Sequence, residues 1–261
     1  MTNIDNVNKG KRFNINKQDF VFLYSNQRSG HHAILHWVCS QAKKRCVHIN
    51  GVGPNLDSFS DGKIVSNTRS DKRKNIYNSK LDKDGEIKFI NLENKSPEKG
   101  TLSLIKSSPL VKGKNIKNVI ILRDFFNFWA SFCKVNIKHS GVAALEKKQK
   151  EYLYLIENWK KLASLSLAKN NDLYTILYNN WVSDKKYRKA ICNDLKLNTT
   201  DIGFDYIPNY GGGSSFGSEN IKKLQDDVNN RYSQFINKSF FYKFIDDEIR
   251  HYQSAIFNLE I

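Results

Sequence analysis

The sequence predicts an α/β fold of three layers, with a mainly parallel central sheet flanked by helices, and three observations predict it. A short apolar run, Phe20 to Tyr24, leads through Ser25 to Gly30 directly into the helical pattern HHAILHWVCSQAKK, a strand, loop and helix in immediate succession. Two later runs, Asn118 to Leu122 (NVIIL) and Leu173 to Tyr178 (LYTILY), are nearly continuously apolar, as strands buried on both faces must be. Between the strand-like segments lie patterns with helical spacing, and that alternation is the mark of parallel strands joined by helices.

In order along the chain, residues 1 to 18 form a polar lead with no apolar stretch. After the first strand and helix, Arg45 to Ile49 reads as a second strand, and residues 50 to 79 read as a long loop because Gly, Pro and Asp punctuate them. A loop of that length carries function or mobility in most folds. Glu86 to Asn91 and Leu102 to Lys106 are expected to be further strands. Helices are expected at Phe126 to Val135, Ala143 to Lys169, Asp184 to Leu195, Asn220 to Phe235 and Phe241 to Phe257. No repeat, low-complexity tract or linker divides the chain, so residues 1 to 261 are expected to form a single α/β domain.

Charge and cysteine content narrow the function. Lys plus Arg number 42 against 26 Asp plus Glu, a formal charge of +16, and such an excess attracts polyanions and phosphorylated ligands. The positive residues are spread along the chain, with short clusters at Lys43 to Arg45, Lys72 to Lys74 and Lys185 to Arg188, which favours a solvated basic surface over a nucleic-acid groove. Cys39, Cys46, Cys133 and Cys192 form no C-x-x-C pair and have no histidine at zinc-finger spacing, so buried free thiols are expected and no metal. With no secretory leader and no long apolar span, the expected location is cytoplasmic.

Two motifs bear chemistry. The loop Ser25-Asn26-Gln27-Arg28-Ser29-Gly30 joins a strand end to a helix start, where backbone N–H groups and the positive helix end converge on an anion. An ordinary β–α turn, with Gly30 chosen for its backbone freedom, is the plain alternative. The spaced glycines and Gly-Lys-Ser/Thr ending of a Walker A loop are missing, and Asp124 is the one candidate carboxylate for magnesium at a strand end. The second motif is the strand leading into Arg123-Asp124-Phe125-Phe126-Asn127-Phe128-Trp129-Ala130-Ser131. A guanidinium from Arg123 and a hydroxyl from Ser131 suit a second phosphate, and an ion pair of Arg123 with Asp124 is the structural alternative. Phe125, Phe126, Phe128, Trp159 and Trp181 read as core or adenine-side packing rather than a sugar platform.

With SNQRSGHHAILHW, ILRDFFNFWASF and LYTILYNNW in that order, the chain resembles the sulfotransferases that use 3′-phosphoadenosine 5′-phosphosulfate (PAPS), over roughly residues 19 to 216. The resemblance implies a P-loop-like sulfotransferase fold, PAPS as donor, 3′,5′-adenosine bisphosphate as product, and no metal. It implies that Arg28, Ser29, Gly30, His31, His32 and Ala33 line the 5′-phosphosulfate, that Arg123 and Ser131 hold the 3′-phosphate, and that Tyr178 approaches the adenine. Gly212, Gly213, Ser214 and Ser215 correspond to a glycine-containing loop that closes over the nucleotide, with a flexible surface loop as the alternative.

The chain departs from the pattern where small-molecule members of that family carry their catalytic histidine: Ser108 stands there. His32 and His48 are the substitute bases, since a neutral imidazole accepts a proton near neutral pH, and Asp57, Asp61 and Glu93 are carboxylate alternatives. With Arg28 balancing charge on the departing phosphate, the catalytic set expected is Arg28, His32 and His48, acting on a small-molecule, lipid or glycan acceptor. A P-loop kinase-like phosphotransferase, a basic nucleic-acid-binding protein and a catalytically silent relative stay open at this point.

Overall fold

Strand residues alternate between two apolar faces, and that alternation builds the layers. In the computed structural model, which describes residues 7–8, 11, 13–16, 19–42, 46–50, 63–66, 74–75, 87–109, 111–141, 148–168, 170, 172–206 and 228–260, the elements follow in chain order. They are β1 (Phe20–Ser25), α1 (His31–Gln41), β2 (Cys46–Asn50), β3 (Lys63–Ser66), β4 (Lys74–Asn75), β5 (Ile87–Glu93) and α2 (Lys99–Ser107). Then come β6 (Ile116–Leu122), α3 (Phe125–Ser140), α4 (Gln149–Leu167), β7 (Leu173–Leu177), α5 (Tyr178–Ser183) and α6 (Lys185–Asp194). A 3-10 turn (Arg231–Phe235), α7 (Ser239–Tyr242), α8 (Asp247–Tyr252) and a π-type turn (Gln253–Phe257) complete the order.

The sheet runs β4-β3-β2-β5-β1-β6-β7. Its five strands from β2 to β7 pair in parallel, and β3 and β4 extend one edge in antiparallel pairing. Phe20, Phe22 and Tyr24 of β1 join one core with α3, α4 and the C-terminal turns. Val21 and Leu23 face the opposite way, into a second core with α1, α5 and α6. All four tryptophans are buried in these cores, and so are Phe125, Phe126 and Phe128; for Trp159, Trp181 and the three phenylalanines, core packing was one of the two expectations. Each such ring removed from water stabilises the fold by roughly 1.5–3 kcal/mol.

The strand order fixes where a ligand can sit. From β1 the chain passes through α1 to β2 on one side of the sheet, and from β6 it passes to β7 on the other. The crevice between the carboxyl ends of β1 and β6 is therefore the topological switch point, where open α/β sheets take their ligands.

Five expectations need correction. Leu102 to Lys106 lies within α2, not a strand: Leu102 and Ile105 pack on the core at helical spacing while Leu104 is 54% exposed, so the short apparent alternation misleads. The span from 50 to 79 contains β3 and β4, which use the sheet edge that β2 would leave unpaired. The LYTILY strand ends at Leu177, and Tyr178 opens α5. The span from 241 to 257 is not one helix, because Asp246 accepts a hydrogen bond from the Ile249 N–H and starts α8 afresh. Of the helix expected from 220 to 235, residues 220 to 227 lie outside the described residues, and 231 to 235 form the 3-10 turn.

Candidate functional site

The loop from Ser25 to Gly30 is held open by asparagines. Asn26 donates from Nδ2 to the Leu155 carbonyl at 2.8 Å and accepts from Asn158, so α4 clamps the loop from behind. Asn94, at the end of β5, accepts from the Gln27 N–H at 2.9 Å and donates its own N–H to the Ser25 carbonyl at 2.7 Å. The Ser29 and Ala33 amides bond the carbonyls of Asn26 and Gly30, which closes the turn and the first helical step. Those bonds leave the Arg28, Gly30 and His31 amides without acceptors among the described residues, the anion-binding arrangement of a helix start.

Backbone strain and packing concentrate here. Arg28 has φ 64° and Gly30 φ 82°, both in the left-handed region. A Cβ on Gly30 would lie 2.1 Å from the Tyr178 ring, so glycine is required by its dihedral and by the ring against it. The other face of the site is Arg123, just past β6. Its guanidinium carbon lies 5.1 Å from the Tyr178 ring centroid, Nη1 donates to the Arg28 carbonyl at 3.3 Å, and Nη2 donates to the Val228 carbonyl at 2.7 Å. Arg28, Tyr178 and Arg123 are thus neighbours across the crevice between β1 and β6. Among the described residues the buried Nε atoms of both arginines have no hydrogen-bond partner, a polar deficit that an anion would relieve. Burial lowers both guanidinium pKa values, and for Arg28 the charge of Arg123 acts in the same direction.

Asp124 does not pair with Arg123. Its carboxylate caps α3 by accepting from the Asn127 N–H at 2.8 Å, and also accepts from the side-chain amides of Asn127 and Asn179. A buried carboxylate so used has its lone pairs directed at amides rather than at a cation.

Three histidines line the β2 and β5 side of the loop. The His31 and His32 ring centroids are 4.1 Å apart, and those of His32 and His48 5.7 Å. Burial, with the neighbouring imidazoles adding, holds His31 well below its ordinary value. Burial and then the charge of Arg28 pull His32 down to about 4, and burial and then His32 pull His48 down to about 3. All three are neutral at pH 7. Beside them burial raises the Glu93 pKa, opposed by Arg28, and Glu93 Oε1 lies 3.5 Å from His31 Nε2. Donor atoms of His31, His32 and Glu93 lie within 4.8 Å of one another, a cluster that could take a metal ion.

The structure brings Arg28, Ser29, Gly30, His31, His32, His48, Arg123 and Tyr178 to this one end of the sheet. Ser131 sits on the second turn of α3, buried, about 9 Å along the axis from the helix start. Ser108 caps the carboxyl end of α2, and its buried Oγ has no hydrogen-bond partner among the described residues. Gly212, Gly213, Ser214 and Ser215, with Asp57 and Asp61, lie outside the described residues. Sequence reasoning missed Asn94, Asn127, Asn158 and Asn179, which build the site, and Arg231, a buried arginine whose N–H donates to Asn127 Oδ1 at 2.6 Å. The one usable signal was asparagine one or two residues past a strand end, at 94 and 179.

No family model matches the chain, and no curated protein sequence does either.

Proposed function

We propose that the chain is a sulfotransferase of P-loop-like fold that moves a sulfuryl group from PAPS to a hydroxyl or amine of a carbohydrate, lipid or small-molecule acceptor, releasing 3′,5′-adenosine bisphosphate. The observation that carries this reading is the convergence of Arg28 and Arg123 on the β1/β6 switch point, beside amides without acceptors and with Asp124 held by other groups. Two cationic centres on adjacent strand ends suit a ligand with two separated phosphate groups. The order of the motifs SNQRSGHH and ILRDFFNFWAS supports the same ligand.

In that reading the loop amides and Arg28 hold the 5′-phosphosulfate, and Arg28 stabilises charge as the phosphate departs. Arg123 holds the 3′-phosphate, Tyr178 flanks the nucleotide, and Ser131 is assigned to the same phosphate by the motif alone. The S–O bond to the leaving phosphate breaks as the acceptor oxygen or nitrogen bonds to sulfur, and the acceptor's proton passes to a base. His32 is the better placed base, being neutral and partly exposed, whereas His48 is 3% exposed. A magnesium-dependent phosphotransferase finds less support, because the Asp124 carboxylate is already surrounded by amide donors.

Incubation with PAPS and a panel of acceptors tests the reading by release of the bisphosphate. Turnover that falls at least about 100-fold in Arg28→Ala is the expected result. Turnover of magnesium ATP in place of PAPS would sink the proposal.

A further inference from the structure

We propose that His31, His32 and Glu93 bind one divalent transition-metal ion, zinc by their donor set, at the carboxyl ends of β1 and β5. The inference does not rest on the nucleotide reading, and a metal-bound His32 would leave the role of base to another group. It rests on geometry: one donor atom from each residue lies within 4.8 Å of the other two, on elements that hold them in place. His31 and His32 occupy the first turn of α1, and Glu93 is the last residue of β5, in parallel register with Ser25 of β1. Ligands on a helix and a strand are positioned more tightly than ligands on loops.

His31 supplies the second, separate observation. Its Nδ1 lies 3.2 Å from Ser29 Oγ, and the ring donates to the Asn26 carbonyl. Among the described residues Nε2 makes no hydrogen bond; with the proton on Nδ1, the tautomer that the Asn26 carbonyl favours, Nε2 presents its lone pair. That lone pair is buried, with the residue 2% exposed, and lies 3.5 Å from Glu93 Oε1. A buried lone pair facing a carboxylate oxygen is unfavourable unless a proton or a cation lies between them. A metal ion supplies the charge, and the Nδ1–H bond is the orienting contact that metal-bound histidines regularly make.

Two imidazoles and a carboxylate are a zinc-type set, with distances of about 2.0–2.2 Å and a fourth position left for water or an anion. Tetrahedral binding needs donors about 3.4 Å apart, so the cluster must contract. Glu93, with its side chain 36% exposed, has the freedom to turn inward. The charge of Arg28 acts on Glu93 from nearby.

The test is titration of chelator-treated full-length protein with Co2+ as a spectroscopic probe, followed by Zn2+ competition. One equivalent of Co2+ should bind with visible bands of a four- or five-coordinate site, and Zn2+ should displace it. Glu93→Gln and His31→Ala should each weaken binding by more than about 100-fold, and Ser29→Ala by about 10–100-fold through loss of the orienting contact. His139→Gln, at the exposed end of α3, should leave binding unchanged. Absence of stoichiometric Co2+ and Zn2+ binding by the unaltered protein would overturn the proposal. So would undiminished binding in Glu93→Gln, which decides the matter even where the His31 variant does not fold. Nucleotide binding measured on the same metal-free protein succeeds or fails separately.

Discussion

Gly30 is fixed twice, by a φ of 82° and by the Tyr178 ring that occupies the space a side chain needs. Gly30→Ala should therefore destabilise the fold by about 2–4 kcal/mol, the sum of a left-handed penalty and a clash. Thermal unfolding of Gly30→Ala alone and combined with Tyr178→Ala separates the two contributions: the second change should restore part of the loss and leave the dihedral part. A glycine at this position was legible in the sequence, because a strand-to-helix turn asks for one. Its partner was not, since Tyr178 is distant in the chain and the ring's direction depends on where β7 ends. The histidines give a prediction of their own. With the folded values of His32 and His48 depressed to about 4 and about 3, below 6.5, the unfolded chain binds protons first as pH falls. Stability is present above pH 6.5 and is lost as pH drops from there toward 4 and 3. In the presence of a chelator, denaturation at pH 7 and pH 5 should differ by at least about 1 kcal/mol, roughly 2–4 °C in Tm, and His32→Gln should reduce the difference.

At the scale of elements, the start of α3 joins three parts of the chain. Asp124 caps it, Gln253 Oε1 accepts from the Phe125 N–H at 2.8 Å, and Asn127 Oδ1 accepts from the Arg231 N–H while Asn127 Nδ2 donates to the Asn229 carbonyl. Asn127→Ala should release the 229 to 235 segment, seen as faster amide exchange there with little change in β1 or β6, at a cost of about 1–3 kcal/mol for the amides left unpaired. Unchanged exchange would show that packing of Phe235 alone holds the segment. The long apolar strands were legible, because β1, β6 and β7 are buried on both faces and nothing else gives that run of residues. The short elements were not. In α2 a single buried residue, Ile105, leaves too weak a period to distinguish a helix from a strand, and β3 and β4 exist only through pairing at the edge of β2.

For the whole molecule, the order β2-β5-β1-β6-β7 makes one crevice, and the motif-bearing residues all meet there because the sheet is parallel and their loops follow strand ends. The sequence could place Arg28 and Arg123 each after a strand. That β1 and β6 are neighbours became known only from the structure. None of the described helices is long and apolar enough to cross a membrane. The charge of +16 should act mainly as a general field rather than as a nucleic-acid groove. Generic duplex DNA is accordingly expected to bind no tighter than about 10 µM at physiological salt, and tighter saturable binding would favour the nucleic-acid alternative. The central claim, a crevice built for two separated phosphates, is tested most directly by calorimetric titration with 3′,5′-adenosine bisphosphate against 5′-AMP and magnesium ATP, using Arg123→Ala and Arg123→Lys variants whose folding is checked by circular dichroism. Saturable binding of the bisphosphate in preference to both other nucleotides, lost in folded Arg123→Ala and partly kept in Arg123→Lys, is the expected result; no binding of the bisphosphate, or a preference for magnesium ATP, would contradict it.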